Sequence, residues 1–276
     1  MTPEGLPMAK VIYEKRDQIA YITLNRPEVH NAIDTETDEL LFEAWTDFRD
    51  DPDVRIAILT GAGDKTFCAG ADLKSHVDHW LNAGPELGRN LLEKGFAGRI
   101  TRGLHRTAKP IIAALNGWAI GGGIELALAC DIRIASEHAN FGFFHMRRGM
   151  HFADGGIVRL VNTVGVGIAM ELELMGEPID AHRAKEVHLV NRVVPHSDLM
   201  ATAEDVAAKI LRNPRAAVES AKQTILEVIG RPLDDQLRLE CLYGYSTMAN
   251  PEIVERQQEF LERRDADRVT TGSERH

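Results

Sequence analysis

The run from Ile111 to Cys130 constrains this chain more than any other segment. It is the most apolar stretch of the sequence, yet it holds Asn116, Glu125 and three consecutive glycines, Gly121 to Gly123. A carboxylate and a triple glycine do not suit a lipid-spanning helix, so the run reads as buried core. Its pattern predicts a strand over Pro110–Leu115, a glycine-rich turn from Gly117 to Gly123 and a helix over Ile124–Ala129. A second segment repeats the order. The strand Val54–Thr60 ends at Gly61-Ala62-Gly63 and leads to Phe67-Cys68-Ala69-Gly70-Ala71-Asp72-Leu73-Lys74. Small residues in both turns let a ligand approach main-chain N–H groups, and a helix start adds a partial charge of roughly +0.5. Two such N–H groups aimed at one point make an oxyanion hole for an enolate formed from a thioester. Taken singly, either segment also reads as a tight turn packed on a sheet.

The remaining pattern predicts a mixed α/β core followed by helices. Lys10–Arg16 and Gln18–Asn25 read as a hairpin, Thr35–Phe48 and Asn90–Thr107 as helices. Asp131–Ala135, a short strand starting at Phe141, and Val190–Val194 complete the expected strands. Leu199–Leu211, Arg215–Val228, Leu233–Met248 and Glu252–Arg264 read as helices, and Asp265–His276 as a polar, frayed tail. With 276 residues the chain suits one principal domain with an appendage, divided here as 1–196 and 197–276.

A formal charge of −10 opposes nucleic-acid binding, since an acidic surface repels phosphate backbones. Cys68, Cys130 and Cys241 are odd in number and lack a CxxC pair, which argues for a reducing compartment and against a zinc knuckle. The opening MTPEGLPMAK has no secretory pattern. The expectation is a cytoplasmic protein without a membrane span. No metal site is expected, because His76 and His79, beside Trp80, lack further ligands.

In its motifs the sequence resembles the enoyl-CoA hydratase/isomerase (crotonase) superfamily over nearly its whole length. The resemblance rests on Ile22-Thr23-Leu24-Asn25-Arg26-Pro27 with Asn31-Ala32, on Phe67 to Leu73, and on Pro110 to Gly117 with Gly121 to Ala127. It continues through Cys130 to Ala135, Phe141-Gly142, Gly155-Gly156 and Phe260 to Arg264. It implies an α/β fold of the crotonase (ClpP-like) type: a spiral of ββα units with a C-terminal helical trimerisation region. It also implies an acyl-CoA substrate, with coenzyme A as carrier and no tightly bound cofactor, and assembly as a homotrimer or dimer of trimers. Carried over residue by residue, it gives Ala69 and Gly122 as oxyanion donors and Glu125 as the first catalytic glutamate. The CoA strip would comprise Val29, His30, Ala32, Ala69, Gly70, Ala71, Asp72 and Leu73, with Arg263 and Arg264 near a phosphate.

Two departures bear on the chemistry. Where the hydratases place a second glutamate, an ungapped count from Glu125 arrives at His145. A histidine can share the acid–base work of water addition with Glu125. Asp154, just before Gly155-Gly156, reads either as a catalytic acid or as a helix N-cap. Arg147 and Arg148, expected on a strand, would face opposite ways. Glu171 and Glu173 read as surface or inter-unit contacts.

Three functions follow as alternatives. The first is hydration or dehydration of an α,β-unsaturated acyl-CoA. The second is double-bond isomerisation, or hydrolysis of a cyclic ketone's C–C bond by His145 and Asp154, as in the oxocamphor hydrolase that this chain resembles in that pairing. The third is a non-catalytic acyl-CoA-binding scaffold.

Overall fold

A computed structural model describes residues 9–76, 95–102 and 107–272, with backbone alone for 263–272. The chain forms two compact units, Met1–Ala208 and Lys209–His276.

The first unit is built on a sheet of six strands among the described residues. They are β1 (Val11–Arg16), β2 (Ile19–Leu24), β3 (Ile56–Gly61), β5 (Ile111–Leu115), β7 (Ile132–Ser136) and β10 (Arg192–Val194), in that spatial order. β1 and β2 form the expected antiparallel hairpin, and the other pairings are parallel. β3 and β5 are almost wholly buried, which is why their sequences run apolar without alternation. A second sheet was not foreseen as such, although the short strand at Phe141 was expected and is part of it. It contains β4 (Thr66–Cys68), β6 (Trp118–Ile120), β8 (Asn140–Gly142) and β9 (Ile179–Asp180). Each of β4, β6 and β8 has only three residues, too short for a period-two signal.

Helix α1 (Thr35–Asp50) is capped by Asp34, whose carboxylate accepts the Thr37 N–H at 2.8 Å. It buries Leu41, Ala44, Trp45 and Phe48 at helical spacing. Helix α2 (Gly122–Ala129) is buried over Gly123–Leu128, so its sequence carries no polar face. It starts beside β4, and a Cβ on Gly123 would strike the Cys68 carbonyl. α3 (Gly156–Val164), α4 (Val166–Met175), α5 (Ala181–Glu186) and α6 (Leu199–Leu211) follow.

Three sequence expectations are corrected. Residues 95–102 are turns and not helix: Gly95, Ala97, Gly98 and Arg99 all have positive φ, and Thr101 Oγ1 ties back to Phe96. The rest of the helix expected over Asn90–Thr107 falls largely outside the described residues. Arg147 and Arg148 lie in a 3-10 turn, Met146–Arg148, and not on a strand. The last helix continues to Gly272, into the tail expected to fray.

In the second unit, α7 (Arg215–Val228) pairs with α8 (Leu233–Thr247), and α9 (Pro251–Gly272) follows. Tyr243 joins α7 and α8: its hydroxyl donates to Glu227 at 3.0 Å and accepts from Gln223 at 3.1 Å. Ile225, Leu226, Leu233, Leu237 and Leu242 are exposed. No helix among the described residues is long and apolar enough to cross a membrane.

The ends of β3 and β5 are pinned by Asn116, which is buried. Its Oδ1 accepts the Gly61 N–H at 3.2 Å and its Nδ2 donates to Gly63 O at 2.8 Å. Asn116→Ala strands both main-chain groups. It is expected to cost about 2–3 kcal/mol in urea unfolding; a loss under 0.5 kcal/mol would show that the loop needs no such pin.

Candidate active site

The segment Ile33 and Gly70–Asp72 sets the main-chain geometry. Ile33 N–H donates to Gly70 O at 2.8 Å, and Asp72 N–H donates to Ile33 O at 2.9 Å. This is a one-residue parallel bridge between Ile33 and Ala71. N–H groups of an extended segment alternate in direction, so the Ala71 N–H is turned away from Ile33. Among the described residues it has no acceptor. The Gly122 N–H is the first of α2, has no partner within the helix, and likewise has no acceptor among the described residues. The two stretches run against each other: a Cβ on Gly70 (φ +85°) would lie 2.8 Å from Gly122 N, and one on Gly122 2.7 Å from Phe96 Cε1.

Ala69 does not fit the donor role given to it by the resemblance. Its N–H already donates to His30 O at 3.0 Å. The uncommitted N–H lies two residues on, at Ala71, and the motif alone does not distinguish the two alanines.

Glu125 stands in the first turn of α2 and is buried. Its Oε1 accepts the N–H of Asp154 at 2.8 Å and of Gly156 at 3.3 Å. Burial raises its pKa to about 7; the two N–H bonds and the charge of His145 oppose the rise, and the charge of Asp154 adds to it. Asp154 is not the N-cap of α3. Gly155 holds that position, and the Asp154 carboxylate faces Arg102 at 3.3 Å. Burial raises the Asp154 pKa while Arg102 lowers it.

His145 is buried in the turn after β8, stacked on Phe152 with ring centres 4.1 Å apart. Its Nε2 lies 2.8 Å from Glu173 Oε1. Glu173 is thus no surface residue: it points inward from α4 and is 8% exposed. Glu171 does sit at the surface, beside Arg183. Arg147 is exposed and pairs with Glu177.

Of the expected CoA strip, Val29, His30 and Leu73 are exposed, while Ala32 is buried. The Asp72 carboxylate is held by Arg26 at 3.2 Å, which makes it a strut for the Gly70–Asp72 turn. Arg26 also donates to Ala32 O and pairs with Asp34 at 3.1 Å. Beside Ala69 opens a cavity of about 510 Å³ lined by His30, Lys65, Thr66, Trp118 and Phe144 among others. Lys65, Trp118 and Phe144 were not singled out by the sequence, because they come together only through the second sheet. Arg263 and Arg264 lie on the backbone of α9, and their side chains fall outside the described residues. His79 and Trp80 also fall outside, and His76 Nδ1 lies 3.0 Å from Asp72 O. Among the described residues no group of three or more His, Cys, Asp or Glu is placed to hold a metal ion.

Uncommitted main-chain N–H groups beside a protonatable carboxyl are equipment of enzymes that stabilise enolates. The sequence profile of the enoyl-CoA hydratase/isomerase family matches residues 14–268, and the chain belongs to that family. It is similar to the short-chain-enoyl-CoA hydratase of Clostridium acetobutylicum, 37% identical over 235 residues, covering 85% of this chain and 88% of that one. It is also similar to the (E)-benzylidenesuccinyl-CoA hydratase of Thauera aromatica, 38% identical over 231 residues, covering 81% and 85%. Among solved structures, an enoyl-CoA hydratase from Bacillus anthracis superposes with a TM-score of 0.83 at 34% identity, covering 92% of this chain and 97% of that one. The fold is therefore the crotonase fold, and the protein is an enzyme of the enoyl-CoA hydratase type.

Glu125 makes a stability test available. A carboxyl whose folded pKa lies above its unfolded value holds its proton more tightly in the native state. The stability this gives is full below about 4.5 and is lost as pH rises through about 7. Glu125→Gln keeps the acceptor for Asp154 and Gly156 and has no charge to bury. At pH 8 it is expected to be more stable than wild type by about 3 kcal/mol, with the gap closing toward pH 5. Equal melting temperatures across that range would contradict the raised pKa.

Proposed function

We propose that this enzyme adds water across the double bond of an α,β-unsaturated acyl-CoA, with Glu125 and His145 as its acid–base pair. The observation that carries the reading is Glu125 on the same short helix whose first N–H, that of Gly122, is uncommitted and backed by Gly70. The thioester oxygen accepts from the N–H groups of Ala71 and Gly122, aided by the positive end of α2. The water oxygen bonds to Cβ as the π electrons move toward that thioester oxygen, giving the enolate. The water proton passes to His145. The enolate then collapses, and Cα takes the proton of the Glu125 carboxyl. The imidazolium returns its proton to Glu125 through water, so the pair is restored and one water has been added.

The coenzyme A moiety is assigned to the cavity beside Ala69 and to the turn at Val29–Ala32. His30 lines the cavity, and Lys65 offers a cation. Arg263 and Arg264 stay part of this proposal through the resemblance alone. The tie of the Asp154 carboxylate to Arg102 supports a positioning role for Asp154: it holds Glu125 by its main chain. That weakens the reading as an isomerase or C–C hydrolase. Exposed apolar side chains on α4, α7 and α8 support the proposed trimer or dimer of trimers. Three free cysteines support a cytoplasmic setting.

The test is a mass-resolved incubation with short, medium, aromatic and alicyclic enoyl-CoA thioesters, followed by a pH profile on the best of them. A product heavier by one water is expected, lost in Glu125→Gln. The value of kcat/KM should fall about tenfold per pH unit above about 7, as Glu125 loses the proton it must deliver. No hydration of any thioester would sink the reading. A rate that rises through pH 7 and stays high would reverse the two roles.

A further inference from the structure

We infer that Glu173 is the positioning residue of a buried His145–Glu173 dyad, fixing His145 so that Nδ1 is the nitrogen that exchanges a proton in turnover. The inference rests on the hydration reading for its chemistry, and on geometry alone for the dyad.

The imidazole is held on two sides. Its Nε2 edge lies 2.8 Å from Glu173 Oε1, and its face stacks on Phe152 with centroids 4.1 Å apart and planes 32° from parallel. Phe143 closes further around it at 6.4 Å. The edge left over carries Nδ1, which is buried and without a hydrogen-bond partner among the described residues. Buried polar atoms are nearly always partnered, so an orphan in so enclosed a place points to a group that arrives with the ligand. With Nε2 bearing a proton toward the carboxylate, Nδ1 carries a lone pair and acts as a base. The proton it takes from water leaves an imidazolium 2.8 Å from the Glu173 carboxylate, which stabilises that charge where it forms.

Glu125 lies within electrostatic reach of the dyad's imidazole. Phe152 also packs on Gly156, whose N–H donates to Glu125 Oε1 at 3.3 Å, and the charge of His145 acts on Glu125. One turn, Phe152 to Gly156, therefore separates the two acid–base groups and holds both. Among the described residues Glu173 makes no side-chain hydrogen bond or ion pair other than that to His145. α4 turns Ala169, Leu172 and this glutamate inward and leaves Met170 and Leu174 exposed, so a carboxylate sits on its buried side.

Two readouts test the dyad separately from the reaction. Magic-angle-spinning 15N NMR of histidine-labelled protein without substrate, with His145→Gln as the assignment control, reads the tautomer directly. A protonated Nε2 and a bare Nδ1 are expected for His145, with that preference lost in Glu173→Gln. A proton on Nδ1 in wild type, or an unchanged His145 signal in Glu173→Gln, overturns the inference whatever the enzyme turns over. Kinetics with crotonyl-CoA supply the second readout, on variants whose melting temperature matches wild type. Glu173→Gln should lose on the order of 100-fold in kcat with KM within about threefold, and Glu173→Asp should recover part of the loss. A Glu173→Gln kcat within about threefold of wild type removes the positioning role. Failure of wild type to hydrate any thioester sinks the hydration reading, while the NMR still decides the dyad.

Discussion

The one-residue bridge between Ile33 and Ala71 is the contact on which the rest of the site depends. It spends the main-chain groups of Gly70 and Asp72 on Ile33 and so turns the Ala71 N–H the other way. The bridge exists because Arg26 binds Asp72 and Asp34 together, and because Asn31, itself buried, fixes the turn around it by bonding Thr66 O at 2.7 Å. The close approach of Gly70 to Gly122 then brings the start of α2 to the same place. No side chain larger than hydrogen fits at either glycine without displacing a neighbour. A site made of main-chain donors is already ordered before substrate arrives, which is what makes such donors effective in a transition state.

Among the described residues two carboxylate side chains are buried, Glu125 and Glu173, and they are treated differently. Glu125 accepts only neutral N–H groups, so burial dominates and its proton is retained near neutral pH. Glu173 instead meets an imidazole at 2.8 Å. Unlike surroundings push two titratable groups toward unlike roles, and that division is what water addition requires. Each is tied through one oxygen, Glu125 to two N–H groups and Glu173 to the imidazole, while Glu173 Oε2 has no partner among the described residues.

Much of this was legible in the sequence. The parallel sheet follows from apolar runs punctuated by glycine, and the turn before α2 announces itself by Gly121 to Gly123. The sequence singles out Glu125 through the family resemblance and His145 by a count from it, and both side chains are buried. What the sequence hid has physical causes. The strands of the second sheet are too short to show a period. Ala69 and Ala71 are chemically alike, and only the bond to His30 O tells them apart. Glu173 was misread because α4 buries this glutamate beside Ala169 and Leu172 while leaving Met170 and Leu174 exposed, against the usual preference of a carboxylate for the surface. The pairing of Asp154 with Arg102 joins residues far apart in the chain, and no local signal marks it.

The central claim is that a thioester oxygen is gripped by the main chain at Ala71 and Gly122. Isotope-edited infrared spectroscopy of crotonyl-CoA carrying 13C at the thioester carbonyl reads that grip directly. The account predicts that the labelled C=O band moves to lower frequency when the thioester is bound, because two N–H donors draw electron density onto the oxygen. A band at the frequency of free crotonyl-CoA, with the protein saturated, would contradict it.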